Sequence, residues 1–477
     1  MNNNKLINYF GVLFIIVGFW ACGIPSITQR TENKKVPNAF QNSTDTTTVA
    51  NLNWKEYFTD PYLIVLIDSA LSNNQELNIT LQEMIIAQSE IRVRKGEYLP
   101  SVGFSTGAGV EKTARYTPLG ANEATTDIKP GTEMPEPVPD LMGSFFASWE
   151  LDVWKKLRNA KKSAVANYLA SVEGKNFVVT NLIAEIANSY YELLALDNEL
   201  DIVMKNIEIQ SDAFEVVKQQ KNSAKVTELA VKRFEAQLLK TKSMQYAVQQ
   251  NIIETENRIN FLVGRFPQKI ERDFDSFNTL KADYVTAGIP LQLLENRPDI
   301  KQAELQLEAA KIDVKVAKAQ FYPTLGISGG IGFQAYKASL LTKSPESMLY
   351  SLTADLVAPL VNRNAIKANY KSANAQQIQA VYNYERTVLL AYLEVVNQLS
   401  RLDNMTNSFD LKKLEVAALD RSVKISNDLF RSARADYFEV LLTQREALDS
   451  KFELIENKAK QLGARVDLYK ALGGGWK

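Results

Sequence analysis

The feature that most constrains this chain is an internal duplication running through nearly all of it. Asn73, Glu76, Leu77, Ala87, Glu90, Tyr98 and Pro100 align with Asn296, Asp299, Ile300, Ala310, Asp313, Phe321 and Pro323, every pair at the offset that separates Pro100 from Pro323. The offset then shortens, because the first half carries the longer loop: Glu150-Leu151 matches Asp355-Leu356, and Arg158-Asn159-Ala160 matches Arg363-Asn364-Ala365. Leu196-Asp197-Asn198 answers Leu402-Asp403-Asn404, and Leu262-Val263-Gly264 answers Leu472-Gly473-Gly474. Such a chain is expected to fold as two copies of one unit, 54–288 and 289–477, each reading helix, strand, loop, strand, very long helix, turn, helix.

The strands are expected at about 101–111 and 143–153 in the first copy and 324–334 and 348–358 in the second. From Phe145 to Val153 apolar Phe145, Ala147, Trp149, Leu151 and Val153 alternate with polar Ser148, Glu150 and Asp152, and only Phe146 breaks the pattern. Val102, Phe104, Ala108 and Val110 alternate with small residues, as do Leu325, Ile327, Ile331 and Phe333, while Tyr350, Leu352, Ala354 and Leu356 alternate with Ser351, Thr353 and Asp355. Strands of about ten residues with one apolar face have the length that crosses a bilayer in a tilted barrel. Four strands cannot close a barrel, and an open edge in lipid leaves backbone groups unpaired at several kcal/mol each. Other copies of the chain must complete it: two would give eight strands and three would give twelve. Glu150, Asp152 and Asp355 then face the lumen. Between the strands lie a Pro-rich loop with Pro118, Pro130, Pro135, Pro137 and Pro139, and a shorter one near 335–347, both polar surface excursions.

The helical hairpins are expected at 155–263 and 362–472. No proline interrupts 155–220, and Ile186, Tyr190, Leu193, Leu200, Met204, Ile207 and Phe214 keep roughly heptad spacing, with Asp197 and Ser211 as polar interruptions. The returning helix keeps the seam through Phe234, Leu238, Val248, Ile252, Ile259 and Leu262. A helix of roughly 65 residues spans about 100 Å, too long for a compact domain. Ahead of the first strand an apolar stripe is expected through Leu63, Leu66, Ile67, Leu71, Leu77, Leu81 and Ile85.

The chemistry the chain lacks narrows its function. Lys+Arg 55 balances Asp+Glu 55, so nothing points to nucleic acid. With no histidine and one cysteine, the usual general base, a zinc cluster and an internal disulfide are absent, and Gly329-Gly330-Ile331-Gly332 lacks the Lys and helix of a phosphate loop. No catalytic residue, cofactor site or metal site is expected. Residues 1–21 read as an export signal: Lys5, then an apolar run from Tyr9 to Trp20 that is too short to span a bilayer. Cys22 after Ala21 resembles the bacterial lipoprotein pattern, with Phe19 and Trp20 departing from its preferred Leu and small residue. Acylation there, palmitate included, would anchor the mature N-terminus. Residues 22–53, rich in Thr, Asn and Ser, read as an extended linker from that anchor.

Gly288-Ile289-Pro290, Leu293-Leu294, Arg297-Pro298-Asp299-Ile300, the closing Ala471-Leu472-Gly473-Gly474-Gly475-Trp476 and the opening Trp54, Phe58 and Asp60-Pro61 together resemble the TolC-like outer-membrane factors. They most resemble the lipoprotein branch that serves resistance-nodulation-division (RND) efflux pumps. The resemblance implies a membrane α+β fold: a homotrimeric twelve-stranded β-barrel continuous with a periplasmic α-helical barrel. It further implies the outer membrane of a Gram-negative bacterium, a periplasmic adaptor, an inner-membrane RND pump, and a passive conduit without a cofactor. At the second hairpin tip it points to Phe438 as an apolar constriction, Glu439 as a three-fold carboxylate ring, Leu442 below them and Arg445 as a partner; the acidic middle member of the family pattern is absent, Leu442 standing there. The first tip, near 222–227, would make the other contact with the adaptor or the neighbouring hairpin. Two other readings use the same residues: the outer-membrane component of a type I protein secretion system, and a pore-less periplasmic coiled-coil scaffold.

Overall fold

The structure, a computed structural model, describes residues 24–28, 30–40, 46–280, 286–432 and 434–477. The export signal and Cys22 lie outside the described residues. The chain divides into two units, one built from 85–168, 305–381 and the residues up to Thr31, the other from 32–84, 169–304 and 382–477.

The first unit contains a four-stranded antiparallel sheet of β1 (Ser101–Glu111), β2 (Val138–Leu151), β3 (Thr324–Ala335) and β4 (Met348–Val357), in that spatial order, and a short two-stranded hairpin of Asp127–Lys129 and Thr132–Glu133 in the loop between β1 and β2. Each half contributes a pair, and β2 against β3 joins the halves. Strand β2 starts earlier than the alternation suggested, because Val138, Pro139 and Asp140 pair with Glu111, Val110 and Gly109, and it stops at Leu151. One row across all four strands is Phe104, Phe145, Ile331 and Tyr350, and the next is Val102, Ala147, Gly329 and Leu352. This apolar face is open: Phe104, Tyr350 and Leu352 are 61%, 78% and 83% exposed. The opposite face carries the row Ser101, Ser148, Ser328 and Thr353. Phe146 belongs to that polar face, in a row with Gly103, Gly330 and Ser351. A Cβ on Gly103 would come within 2.4 Å of the Phe146 ring, so the glycine makes the bed in which the phenyl lies.

Asp152 departs from expectation. The chain leaves the sheet after Leu151, and the Asp152 carboxylate accepts hydrogen bonds from the backbone N–H of Leu157 (3.0 Å) and Arg158 (2.9 Å) and from Arg158 Nε (3.1 Å). With its side chain 2% exposed it satisfies the first amides of helix α3 (Lys156–Asn222) and faces no lumen.

Residues 22–53 were expected to trail as a linker, yet their described parts are held. In the first unit Ile24 and Ile27 pack on Phe321 and Tyr370. In the second, buried Phe40 stacks on Tyr392 at 5.6 Å and the Val49 amide donates to Thr286 O. A few apolar side chains suffice to order a polar segment when a groove receives them.

The second unit packs α1 (Pro61–Asn73) and the start of α2 (Gln75–Tyr98) against the hairpin of α3 and α4 (Glu228–Val263). Tyr190, Leu193, Ile186, Ile259 and Leu262 join Leu63, Leu66 and Ile67 in its main core, and Tyr57 stacks on Tyr469 at 4.0 Å. In the seam, Val203 is fully buried whereas Met204 is 55% exposed, because the helical period drifts from a strict heptad. The polar interruption Asp197 has a partner: Arg272, arriving after the hairpin, pairs with both Asp197 and Glu256, all three side chains 17% exposed or less. The stripe on α2 is buried only to Leu77; Ile79, Leu81, Ile85 and Ile86 are exposed. Helices α5 (Pro298–Ala319), α6 (Asn364–Arg431) and α7 (Tyr437–Ala471) repeat the pattern. Among the described residues no helix is long and apolar enough to cross a membrane.

Candidate functional site

Three groups of expected residues can be located. The first is the polar face of the sheet at its helix end, where Glu150, Gly326 and Asp355 form one row. Glu150, Asp355, Glu97, Ser101, Ser148 and Ser328 line a cavity of about 450 Å³. Glu150 is neutralised by Lys156 at 2.5 Å, so Asp355 and the serines leave this face polar rather than strongly charged.

The second group is the motif Arg297-Pro298-Asp299. Pro298 opens α5, where its missing N–H and fixed φ suit a helix start. Arg297, 5% exposed, forks onto Asp299 (3.0 and 2.7 Å), reaches Glu394 on α6 (2.7 Å) and donates to the Ala471 carbonyl at the end of α7 (2.9 Å). Burial opposes its charge, but the bonds and charges of Asp299 and Glu394 outweigh that and raise its pKa. The duplication explains the role, since the repeat-equivalent Asn74 donates to the Leu262 carbonyl at the end of α4 (2.8 Å). Beside each tie sits a left-handed glycine: Gly264 (φ 79°) against Asn73 O, and Gly473 (φ 90°) against Asn296 O. Gly473, not Gly474, is therefore the structural counterpart of Gly264. The motif locks helix ends together and is architectural.

The third group is the tip of the second hairpin. Phe438 and Glu439 lie in the first turn of α7, both exposed, followed by half-buried Leu442 and exposed Arg445. Glu439 and Arg445 form no ion pair among the described residues; six positions along a helix sets them about 120° apart. Phe438 instead lies under the guanidinium of Arg233 on α4, at 5.7 Å. Buried Val440 packs with Val217, Ala230, Val231 and Phe234, which ties the two hairpins together just behind their tips. Arg233 was missed in the sequence, where it is one more charge on a solvated face; only the fold brings it to Phe438. The first tip closes through Ala224 at φ 57°, with Thr227 capping α4.

Three comparisons bear on this arrangement. The sequence signature of the family described as "Outer membrane efflux protein" matches residues 66–265 and 289–474, one stretch in each half of the duplication. The chain is 27% identical over 424 residues to the "Pyoverdine export outer membrane protein OpmQ" of Pseudomonas aeruginosa, covering 89% of this chain and 87% of that one. It is 24% identical over 446 residues to the "Probable outer membrane lipoprotein SilC" of Salmonella typhimurium, covering 92% and 93%. In fold it is similar to the crystal structure of the open state of the Neisseria gonorrhoeae MtrE outer membrane channel, with TM-score 0.82 and 21% identity over 95% of this chain and 98% of that one.

Proposed function

Because the chain belongs to the outer membrane efflux protein family, we propose that it is the outer-membrane channel of a tripartite RND-type efflux system: a passive trimeric conduit, not an enzyme, that receives small molecules from a periplasmic adaptor and an inner-membrane pump. The observation that carries this reading is the sheet. It has an open apolar face, a small and polar opposite face, and two edges, β1 and β4, that find no partner strand among the described residues. In a bilayer those edges must pair with further copies, and three copies close twelve strands around a wet lumen. The uncovered apolar residues Ile79, Leu81, Ile85 and Ile86 on α2 likewise call for neighbouring subunits. OpmQ is named for pyoverdine export, and the cargo of this chain belongs to the same broad class of small molecules handed over by a pump.

The lipoprotein reading gains support from SilC, and from Ile24 and Ile27, which sit against Phe321 just ahead of β3. Acyl chains on Cys22 would then enter the leaflet beside the base of the sheet. At the hairpin tips, Phe438 and Glu439 from three subunits would form the constriction, with Leu442 and Arg445 following along α7. Glu150 and Asp355 would face the lumen near the start of the helices.

The test is reconstitution of the purified protein in planar bilayers, with native mass spectrometry of the same preparation. Trimers that conduct, with conductance changed by Glu439→Ala, are the expected result. A monomer that forms no pore would refute the channel, and Glu439→Ala pores identical to wild type would remove that residue from the gate.

A further inference from the structure

The two longest helices open on runs of positive charge. Asp152 caps the first amides of α3, but neither α3 nor α6 has an acidic residue within its first turn. From Val153 to Val172 every charged residue is a cation, as is every one from Val357 to Tyr384. Lys156 and Arg158 are answered by Glu150 and Asp152, and Arg363 faces the Phe321 ring. Lys155, Lys161, Lys162, Lys367 and Lys371 have no carboxylate partner among the described residues, and all but Lys161 are exposed. Lys162 and Lys367 are equivalent positions of the duplication, standing at the same offset as Arg158 and Arg363. Two helices in equivalent places thus carry positive charge that no carboxylate among the described residues answers. An external anion would relieve the repulsion among these like charges.

The position of these lysines says which anion. The apolar face of the sheet ends in Trp149, 38% exposed, whose Nε1 donates to Tyr98 O at 3.1 Å. Beyond it Trp154, 47% exposed, stacks on Tyr322 at 4.8 Å and donates to Pro323 O at 2.7 Å. Apolar strand, indole pair and lysine cluster follow one another within this unit, which is the order hydrocarbon, interface and phosphate in a bilayer leaflet. The loops at the other end of the sheet are of mixed sign, with Glu111, Glu123, Glu133, Glu136 and Asp140 beside Lys112 and Arg115, both engaged by Glu136, and with Lys129, Lys337 and Lys343.

We propose that the unpaired lysines at the starts of α3 and α6 form a collar that binds the anionic phospholipid headgroups of the leaflet at the base of the barrel. The collar rests on the barrel reading above and adds a lipid preference to it. Each subunit supplies its own lysines, so the collar repeats around the assembly.

Indole emission tests this in the full chain. The protein is reconstituted in phosphatidylcholine vesicles containing equal amounts of either brominated phosphatidylcholine or brominated phosphatidylglycerol, and quenching of Trp149 and Trp154 is read against Trp54 and Trp476 in the other unit. Stronger quenching by the brominated anionic lipid is expected, weakening as salt is added. The Lys155→Gln, Lys162→Gln, Lys367→Gln, Lys371→Gln variant should lose that preference, by up to roughly fivefold per charge removed. Equal quenching by the two brominated lipids in the unmodified protein would overturn the collar without needing any variant, as would a preference that survives the fourfold substitution. Absence of quenching by either lipid would instead sink the barrel reading on which the collar stands.

Discussion

Gly264→Ala and Gly473→Ala should damage the protein alike, because each glycine does the same task in its half of the duplication. Both adopt left-handed backbone, with φ of 79° and 90°, where a Cβ meets its own carbonyl at roughly 1–2 kcal/mol. Each is also pressed against a helix end. The new Cβ would stand 2.4 Å from Asn73 O in one case and 2.6 Å from Asn296 O in the other, and since both obstacles are backbone, the helices themselves must move. Overpacking of that kind adds about 1–3 kcal/mol, so each substitution should destabilise by roughly 2–5 kcal/mol. Two other glycines serve as controls. At Gly174 the neighbour is the flexible Gln302 side chain, at 2.8 Å, which can swing away, and at Gly96 nothing lies within 4 Å. Gly174→Ala should be mild and Gly96→Ala should stabilise by about 0.5–1 kcal/mol, Gly96 lying within α2. The assay is guanidinium unfolding of the purified protein in detergent, followed by helical circular dichroism. If the two alanine variants differ widely from each other, or match Gly174→Ala, the argument that these glycines close equivalent junctions is wrong.

Further expectations follow from single contacts. Arg272→Met strands the buried carboxylates of Asp197 and Glu256 and should cost about 3–5 kcal/mol in the same assay, whereas adding Asp197→Leu and Glu256→Leu should recover most of it. Burial, and then the charge of Glu456, push the Glu199 carboxyl up to about 7. A raised carboxylate favours the protonated fold, so stability should fall as pH rises from about 4.5 to 7 and level off above; Glu199→Gln should flatten that slope and, with solvent screening, gain about 1–3 kcal/mol at pH 8 in a thermal melt. Phe146→Ala uncovers Gly103 on the polar sheet face and should lower stability by about 1 kcal/mol; an unchanged urea midpoint would mean the ring lies there without effect.

The duplication, the strand alternation and the absence of histidine were all legible in the sequence, because each is a one-dimensional pattern. Period two separates the faces of a strand whatever lies opposite, so the row Phe104, Phe145, Ile331 and Tyr350 could be anticipated as apolar on composition alone. The matched halves likewise forced two strands and one long hairpin from each. Tertiary structure decided what depends on neighbours distant in the chain. Asp152 looked like the next lumen residue because alternation cannot mark where a strand stops, and the amides of α3 claimed its carboxylate. Val203 displaced Met204 because a straight helix drifts from seven-residue spacing. Ile24, Ile27 and Phe40 ordered a segment whose composition reads as linker, because the grooves that receive them exist only in the folded chain. At the tip, Phe438 could be singled out from its place on the helix, but the cation over its ring comes from the other hairpin. Periodicity is written along the chain and survives without a fold; partnership between residues two hundred positions apart is created by folding itself.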